Sequence, residues 1–134
     1  MHQPMEELAV FARFEKVSDQ IWDLVQGWRL LAQDTIGKQV IRSADSIGAN
    51  LVEGDGRFGK ADALHFFVIA RGSARETSLW VSRAQKRKLI TASEATELLQ
   101  LLADGLRMLN NLITYRRNLP ALPTPKIEHQ TPKT

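Results

Sequence analysis

The chain contains no cysteine, which excludes disulfides, thiolate nucleophiles and cysteine zinc sites. It has only three histidines, His2, His65 and His129, two of them near the ends. His65 has Val68 and Ile69 at i+3 and i+4, where a helical metal site would place a second ligand. The Glu-x-x-His signature of di-metal bundles is missing as well. No apolar run approaches the ~18–20 residues that a bilayer span requires. The opening segment MHQPMEELAVFARFEKV lacks the apolar core and small-residue cleavage site of a signal peptide, so no membrane is expected and the cytoplasm is the expected compartment. Four of the five prolines, Pro120, Pro123, Pro125 and Pro132, follow Leu119. Helix breakers are therefore concentrated at one end of the chain.

Catalytic chemistry is equally sparse. Ser46 and Ser73 have no evident base beside them in the sequence, so a nucleophilic triad has no support. The glycines of Glu53-Gly-Asp-Gly-Arg57 make neither a Walker A loop nor a dinucleotide fingerprint, because no strand precedes them. They read instead as a helix terminator and turn. The sequence thus predicts no enzyme and no cofactor.

What is present is helix. At 134 residues, 43% hydrophobic and 25% charged, the chain has the size and composition of one ordinary globular domain. Phe14, Val17, Ile21, Leu24, Trp28 and Leu31 step by threes and fours, a stripe that predicts a first helix from about residue 13 to 33. Asp34 or Thr35 is positioned to cap a second, which carries Ile36, Val40, Ala44, Ile47 and Leu51. Behind Asp62 runs a small-residue stripe of Ala63, Phe67, Ala70, Ala74, Thr77, Val81 and Ala84. Thr91 and Glu94 form a capping box ahead of Ala95, Leu98, Leu99, Leu102, Leu106, Leu109 and Ile113. Four helices of similar length joined by short connections predict an all-α, antiparallel up-down-up-down four-helix bundle. The bundle domain is assigned to residues 1–118 and a disordered, proline-containing C-terminal tail to 119–134.

Some helices have more apolar surface than one core needs. Phe66, Ile69 and Trp80 on helix three, Leu101, Met108, Leu112 and Tyr115 on helix four, and Trp22, Val25 and Leu30 on helix one form second rows. Such rows call for a second copy to cover them, with Trp80 and Trp22 as interface anchors. Charge is uneven too. Residues 1–34 hold Arg13, Lys16 and Arg29 against six carboxylates, whereas 71–88 hold six cations against Glu76 alone. Either the acidic first helix packs on the basic third, or the basic segment faces an anionic partner.

The segment Gln39-Val-Ile-Arg-Ser-Ala-Asp-Ser-Ile-Gly-Ala-Asn-Leu-Val-Glu-Gly-Asp-Gly-Arg57, with the second block Phe66-Phe-Val-Ile-Ala-Arg-Gly-Ser-Ala-Arg-Glu-Thr77 followed by Trp80 and Ala84, resembles the hallmark of the 23S rRNA intervening-sequence proteins. The resemblance spans roughly residues 14–117. It implies a bacterial up-down-up-down bundle assembled into rings, typically homopentamers, with nucleic-acid binding as the inferred role. A related bundle is the accessory variability determinant of diversity-generating retroelements, which partners a reverse transcriptase. The chain departs from its relatives chiefly in its proline-containing tail.

Within these blocks Gly48 and Gly72 lie mid-helix, and helices two and three are expected to cross near them. That crossing would collect Asn50, Glu53, Arg57, Arg71, Ser73, Arg75 and Glu76 into a structural or interfacial polar network. At the bundle ends, Arg29, Lys38, Lys86, Arg87 and Lys88 gather on one side. Arg57, Lys60, Arg116 and Arg117 gather on the other, with Arg13 and Lys16. For nucleic acid the candidate contacts are Lys38, Lys86, Arg87, Lys88, Arg116 and Arg117, acting through charge without sequence readout. The alternative is a scaffold for a protein partner that touches no nucleic acid itself.

Overall fold

The computed structural model describes residues 3–120 and is helical throughout, with no strand among them. A 3₁₀ turn, Met5–Glu7, leads into α1 (Ala9–Gln26). One α-turn, Leu30–Ala32, and a π-helical turn, Gln33–Gly37, enter α2 (Lys38–Asp55). They are followed by α3 (Lys60–Lys86) and α4 (Ala92–Asn118). At 27 residues each, α3 and α4 run roughly 40 Å. Of the tail expected over 119–134, Leu119 and Pro120 follow the end of α4, and residues 121–134 lie outside the described residues.

Neighbouring helices run antiparallel, as their paired side chains show. Between α2 and α3, Ser43 meets Thr77 and Ser46 meets Ser73, so numbers rise on one helix as they fall on the other. Between α1 and α4 the pairs are Arg13–Asp104 and Gln20–Glu97. Between α3 and α4 they are Lys60–Leu119 and Arg71–Asn110. Gly48 lies against Phe11 and Gly37 against Val25, which sets α1 and α2 the same way. Each helix thus packs on two neighbours around one core, with α1 diagonal to α3. The sequence stripes form that core: Phe14, Val17, Ile47, Leu51, Phe67, Leu98, Leu102, Leu109 and Ile113 are almost wholly buried. The capping box opens α4, with the Thr91 hydroxyl accepting from the Glu94 N–H and the Glu94 carboxylate from the Thr91 N–H.

The first corner differs from the sequence expectation. α1 stops at Gln26 with Gly27 as its cap, and Leu31, Asp34 and Thr35 belong to the helical run that enters α2. Neither Asp34 nor Thr35 caps it; the Thr35 hydroxyl donates back to the Leu31 carbonyl at 2.7 Å. The Gln33 side-chain amide closes the corner, donating to the carbonyls of Val25 and Gln26, each at 3.1 Å. Those carbonyls are among the four that a helix end leaves without partners.

Glycine placement is also corrected. A Cβ at Gly72 would meet nothing within 4 Å, and one at Gly48 would meet the Phe11 ring of α1 at 3.2 Å. The two helices do meet beside these glycines, at Ser46 and Ser73, but neither glycine faces the other helix. The glycine in the α2–α3 contact is Gly54, where a Cβ would stand 2.9 Å from the Phe67 ring and 3.0 Å from the Ala63 carbonyl oxygen. Gly54 is therefore inside α2 and buried, and Gly56 is the cap. On α4, Gly105 opens the space that Phe14 fills.

Candidate functional site: a polar seam and a basic end

Small residues let α2 and α3 come close, and a seam of hydroxyls fills the contact. Thr77 Oγ1 lies 2.8 Å from both Ser43 Oγ and the Ser73 carbonyl, and Ser43 and Thr77 are fully buried. One turn on, Ser46 and Ser73 share a 3.0 Å hydrogen bond, and the Asn50 amide donates to the Ser46 carbonyl and hydroxyl. Every buried side-chain polar atom among the described residues has a partner, as burial requires.

Of the residues predicted to form one network, the structure brings together Ser73 and Asn50 and disperses the rest. Glu53 pairs with Arg57 at 2.7 Å, and Arg57 also reaches Asp62 at 3.5 Å and lies over the Phe66 ring at 4.7 Å. Arg71 donates to Asn110 on α4, and Arg75 is exposed. Glu76 pairs with Arg42 of α2 and accepts the Trp80 indole N–H at 2.9 Å. Trp80, half-buried against the core, also lies under Arg83 at 5.6 Å, whereas Trp22 is 55% exposed. Arg42 was the missed partner; its only sequence signal was its position one residue before Ser43 in the polar-rich block.

The Trp80 indole holds the Glu76 carboxyl below its ordinary 4.5, Arg42 adds to this, and partial burial opposes both. A carboxylate with a depressed folded pKa contributes stability above its unfolded pKa and loses it as pH falls through the folded value. Glu76→Gln is expected to flatten that acid limb below about pH 4.5, measured by urea melts from pH 7 to 3. Trp80 fluorescence should titrate there in the native protein and not in the variant. An unchanged limb would show that the pair contributes nothing.

The end of the bundle between α1 and α2 and between α3 and α4 is basic. Trp28 and Ile90 line one apolar recess there with Ile21, Val81 and Leu98, which brings the two turns together. Around it Arg29, Lys38, Lys86, Arg87 and Lys88 are exposed and have no carboxylate partner among the described residues. Helix α3 closes in a Schellman turn: the Leu89 N–H returns to the Ala84 carbonyl at 2.8 Å and the Lys88 N–H to Gln85 at 2.9 Å. The residue that turns the chain is Lys88, at φ 63°, where glycine is the usual occupant.

A lysine in that conformation costs about 1 kcal/mol, so Lys88→Gly is expected to stabilise the fold. It should also weaken any anion held at this end. Denaturation and phosphate-polymer binding measured on the same variant test both signs; lower stability would remove the strain argument.

At the opposite end the cations are mostly matched. Arg116 pairs with Asp55 at 3.3 Å and stands over the Phe67 ring, and Arg57 carries two carboxylates. Arg117 is exposed and has no carboxylate partner among the described residues. No ion pair joins α1 to α3 among the described residues, because the two lie diagonally. The acidic-against-basic packing expected as one reading of the charge pattern is therefore not how the bundle is built. No group of three or more metal-ligating side chains occurs among the described residues. None of the described helices is long and apolar enough to cross a membrane.

Comparison with known proteins places this geometry. A family model described as 23S rRNA-intervening sequence protein matches residues 6–111. No curated protein matches the chain. Among solved structures, one similar protein is a protein of unknown function from the S23 ribosomal protein family of Bacteroides thetaiotaomicron. It is 23% identical with a TM-score of 0.70, over 78% of this chain and 98% of that one. At that identity the likeness is one of fold.

Proposed function

The chain belongs to the 23S rRNA-intervening sequence protein family, and from that premise we propose that it is a non-enzymatic, oligomeric bundle binding RNA or DNA through its basic end. The observation that carries the reading is the set of exposed cations at Arg29, Lys38, Lys86, Arg87 and Lys88, none with a carboxylate partner among the described residues. A cluster of exposed cations not held in ion pairs attracts phosphates and releases their counterions. The strained Lys88 supports it, since a purely structural turn favours glycine. Arg116 is engaged with Asp55, so among the far-end candidates Arg117 remains the free contributor. Assembly rests on exposed apolar side chains along the helices, Trp22, Val68, Ile69 and Leu79, with a homopentamer the form that the family resemblance implies. Oligomerisation would repeat the basic end around the assembly.

The test is fluorescence anisotropy of an arbitrary single-stranded RNA over a salt series, with mass and the 260/280 nm absorbance ratio of the purified protein. Affinity should fall steeply between 50 and 200 mM salt, roughly three-hundredfold where about six phosphates of a single strand are contacted. A flat salt dependence, or no binding at low salt, would reject the reading. A second reading, a scaffold for a protein partner, is favoured by Leu30 and Leu31, 69% and 70% exposed beside the same cations. Co-purification of one stoichiometric protein with no nucleic acid retained would select it.

A further inference from the structure

At the end remote from Lys86–Lys88, the turn between α2 and α3 and the last turns of α4 enclose an open cleft of about 570 Å³. Its floor is apolar, formed by Leu8, Ala63 and Leu112, and two aromatic rings line it, Phe58 and Tyr115. These rings are 56% and 62% exposed, although neither is needed to close the core. Three cations reach the same cleft. Arg57 and Arg116 are neutralised by Glu53, Asp62 and Asp55. Lys60 meets only a backbone carbonyl, that of Leu119 at 2.7 Å, so its charge has no acidic partner among the described residues.

We propose that this cleft binds a nucleoside monophosphate moiety, with the base against Phe58 and Tyr115 and the phosphate on Lys60. The chemistry is specific in its parts. Exposed rings beside an apolar floor suit a flat, polar-edged ring system, because every base presents a stacking face whatever its sequence. A single unmatched ammonium suits one phosphate rather than a polyanion. The volume lies within the range of small-molecule sites, about 300–1,000 Å³. A long alkyl anion would fill the floor but leave the two rings without a stacking partner. The moiety has two sources, a free mononucleotide or one unpaired residue of a single strand. The site is separate from the basic end and does not depend on it.

The test titrates AMP, adenosine and a five-residue oligoadenylate into the full chain, followed by NMR shifts of the Tyr115 and Phe58 rings. AMP is expected to shift both rings and to bind more tightly than adenosine. Lys60→Gln should abolish that preference, and Tyr115→Ala should weaken AMP roughly fivefold or more. Both positions are on the surface, and thermal melts of the variants confirm that folding is kept. Binding of AMP and oligomer together supports a mononucleotide site; binding of the oligomer alone, still lost in Tyr115→Ala, assigns the moiety to a strand. The Lys86→Glu/Arg87→Glu/Lys88→Glu variant should retain the ring shifts, which separates this site from the basic end. Absence of ring shifts with every ligand, or equal affinity of Tyr115→Ala and the native chain, would overturn the proposal.

Discussion

Phe14→Ala is expected to destabilise the bundle by about 3–5 kcal/mol. Phe14 is 1% exposed on α1 and its ring fills the space left by Gly105 on α4. A Cβ built on Gly105 would stand 2.7 Å from two atoms of that ring, closer than carbon atoms pack. The ring belongs to a core in which Val17, Ile47, Leu51 and Leu102 are also fully buried, so moving it aside disturbs close packing. Gly105→Ala therefore overpacks the native core, at about 1–3 kcal/mol, against a helix-propensity gain of about 1 kcal/mol. In the Phe14→Ala background the obstruction is gone and only the gain remains. The same substitution should thus lower stability or leave it level in the native chain and raise it in the variant. Urea melts of the four proteins at one fixed protein concentration give the coupling. A Phe14→Ala cost below about 1.5 kcal/mol, or the same sign for Gly105→Ala in both backgrounds, would refute the ring-on-glycine contact.

That pair shows where sequence periodicity stops. The stripes on α1, α2 and α3 are legible because each apolar position recurs every three or four residues. On α4 the expected stripe passed through Leu99 and Leu106, which are half-buried, while Leu101 and Gly105 face the core. A glycine carries no hydrophobic signal, so a position whose role is to be empty escapes a pattern built on apolar side chains. Gly48 and Gly72 were prominent for the opposite reason: they interrupt helices visibly, yet Gly72 faces open space. The α1–α2 corner was illegible for want of a proline; Gly27 and the long reach of Gln33 end α1 while the apolar steps continue through Leu31. The polar seam was half legible. Ser73 and Asn50 follow from spacing, but Glu76 chooses Arg42 and Trp80 because the antiparallel register puts those side chains opposite it. The basic end was visible as composition. Only the structure shows that its cations stay exposed and without carboxylate partners among the described residues.

Reversing that end gives the largest functional effect expected. Lys86→Glu/Arg87→Glu/Lys88→Glu should reduce RNA affinity at 50–100 mM salt by at least about a hundredfold, and lower the salt slope by roughly 2–3. The slope follows from counterion release: each lost phosphate contact removes ~0.7 for a single strand and ~0.9 for duplex DNA. Acidic side chains then add repulsion to the loss. Stability is a separate matter, because three carboxylates at the C-terminal end of α3 also oppose its dipole, at about 0.3–1 kcal/mol each. Two comparisons separate the causes. Lys16→Glu/Arg75→Glu/Arg107→Glu makes the same change in net charge on the sides of the bundle and should cost far less affinity. Lys86→Gln/Arg87→Gln/Lys88→Gln removes the attraction without opposing the dipole and should keep most of the loss. With oligomer mass unchanged in all three, equal losses for the end and side variants would reduce the binding to net charge. A native slope in the end variant would place the phosphates elsewhere on the bundle.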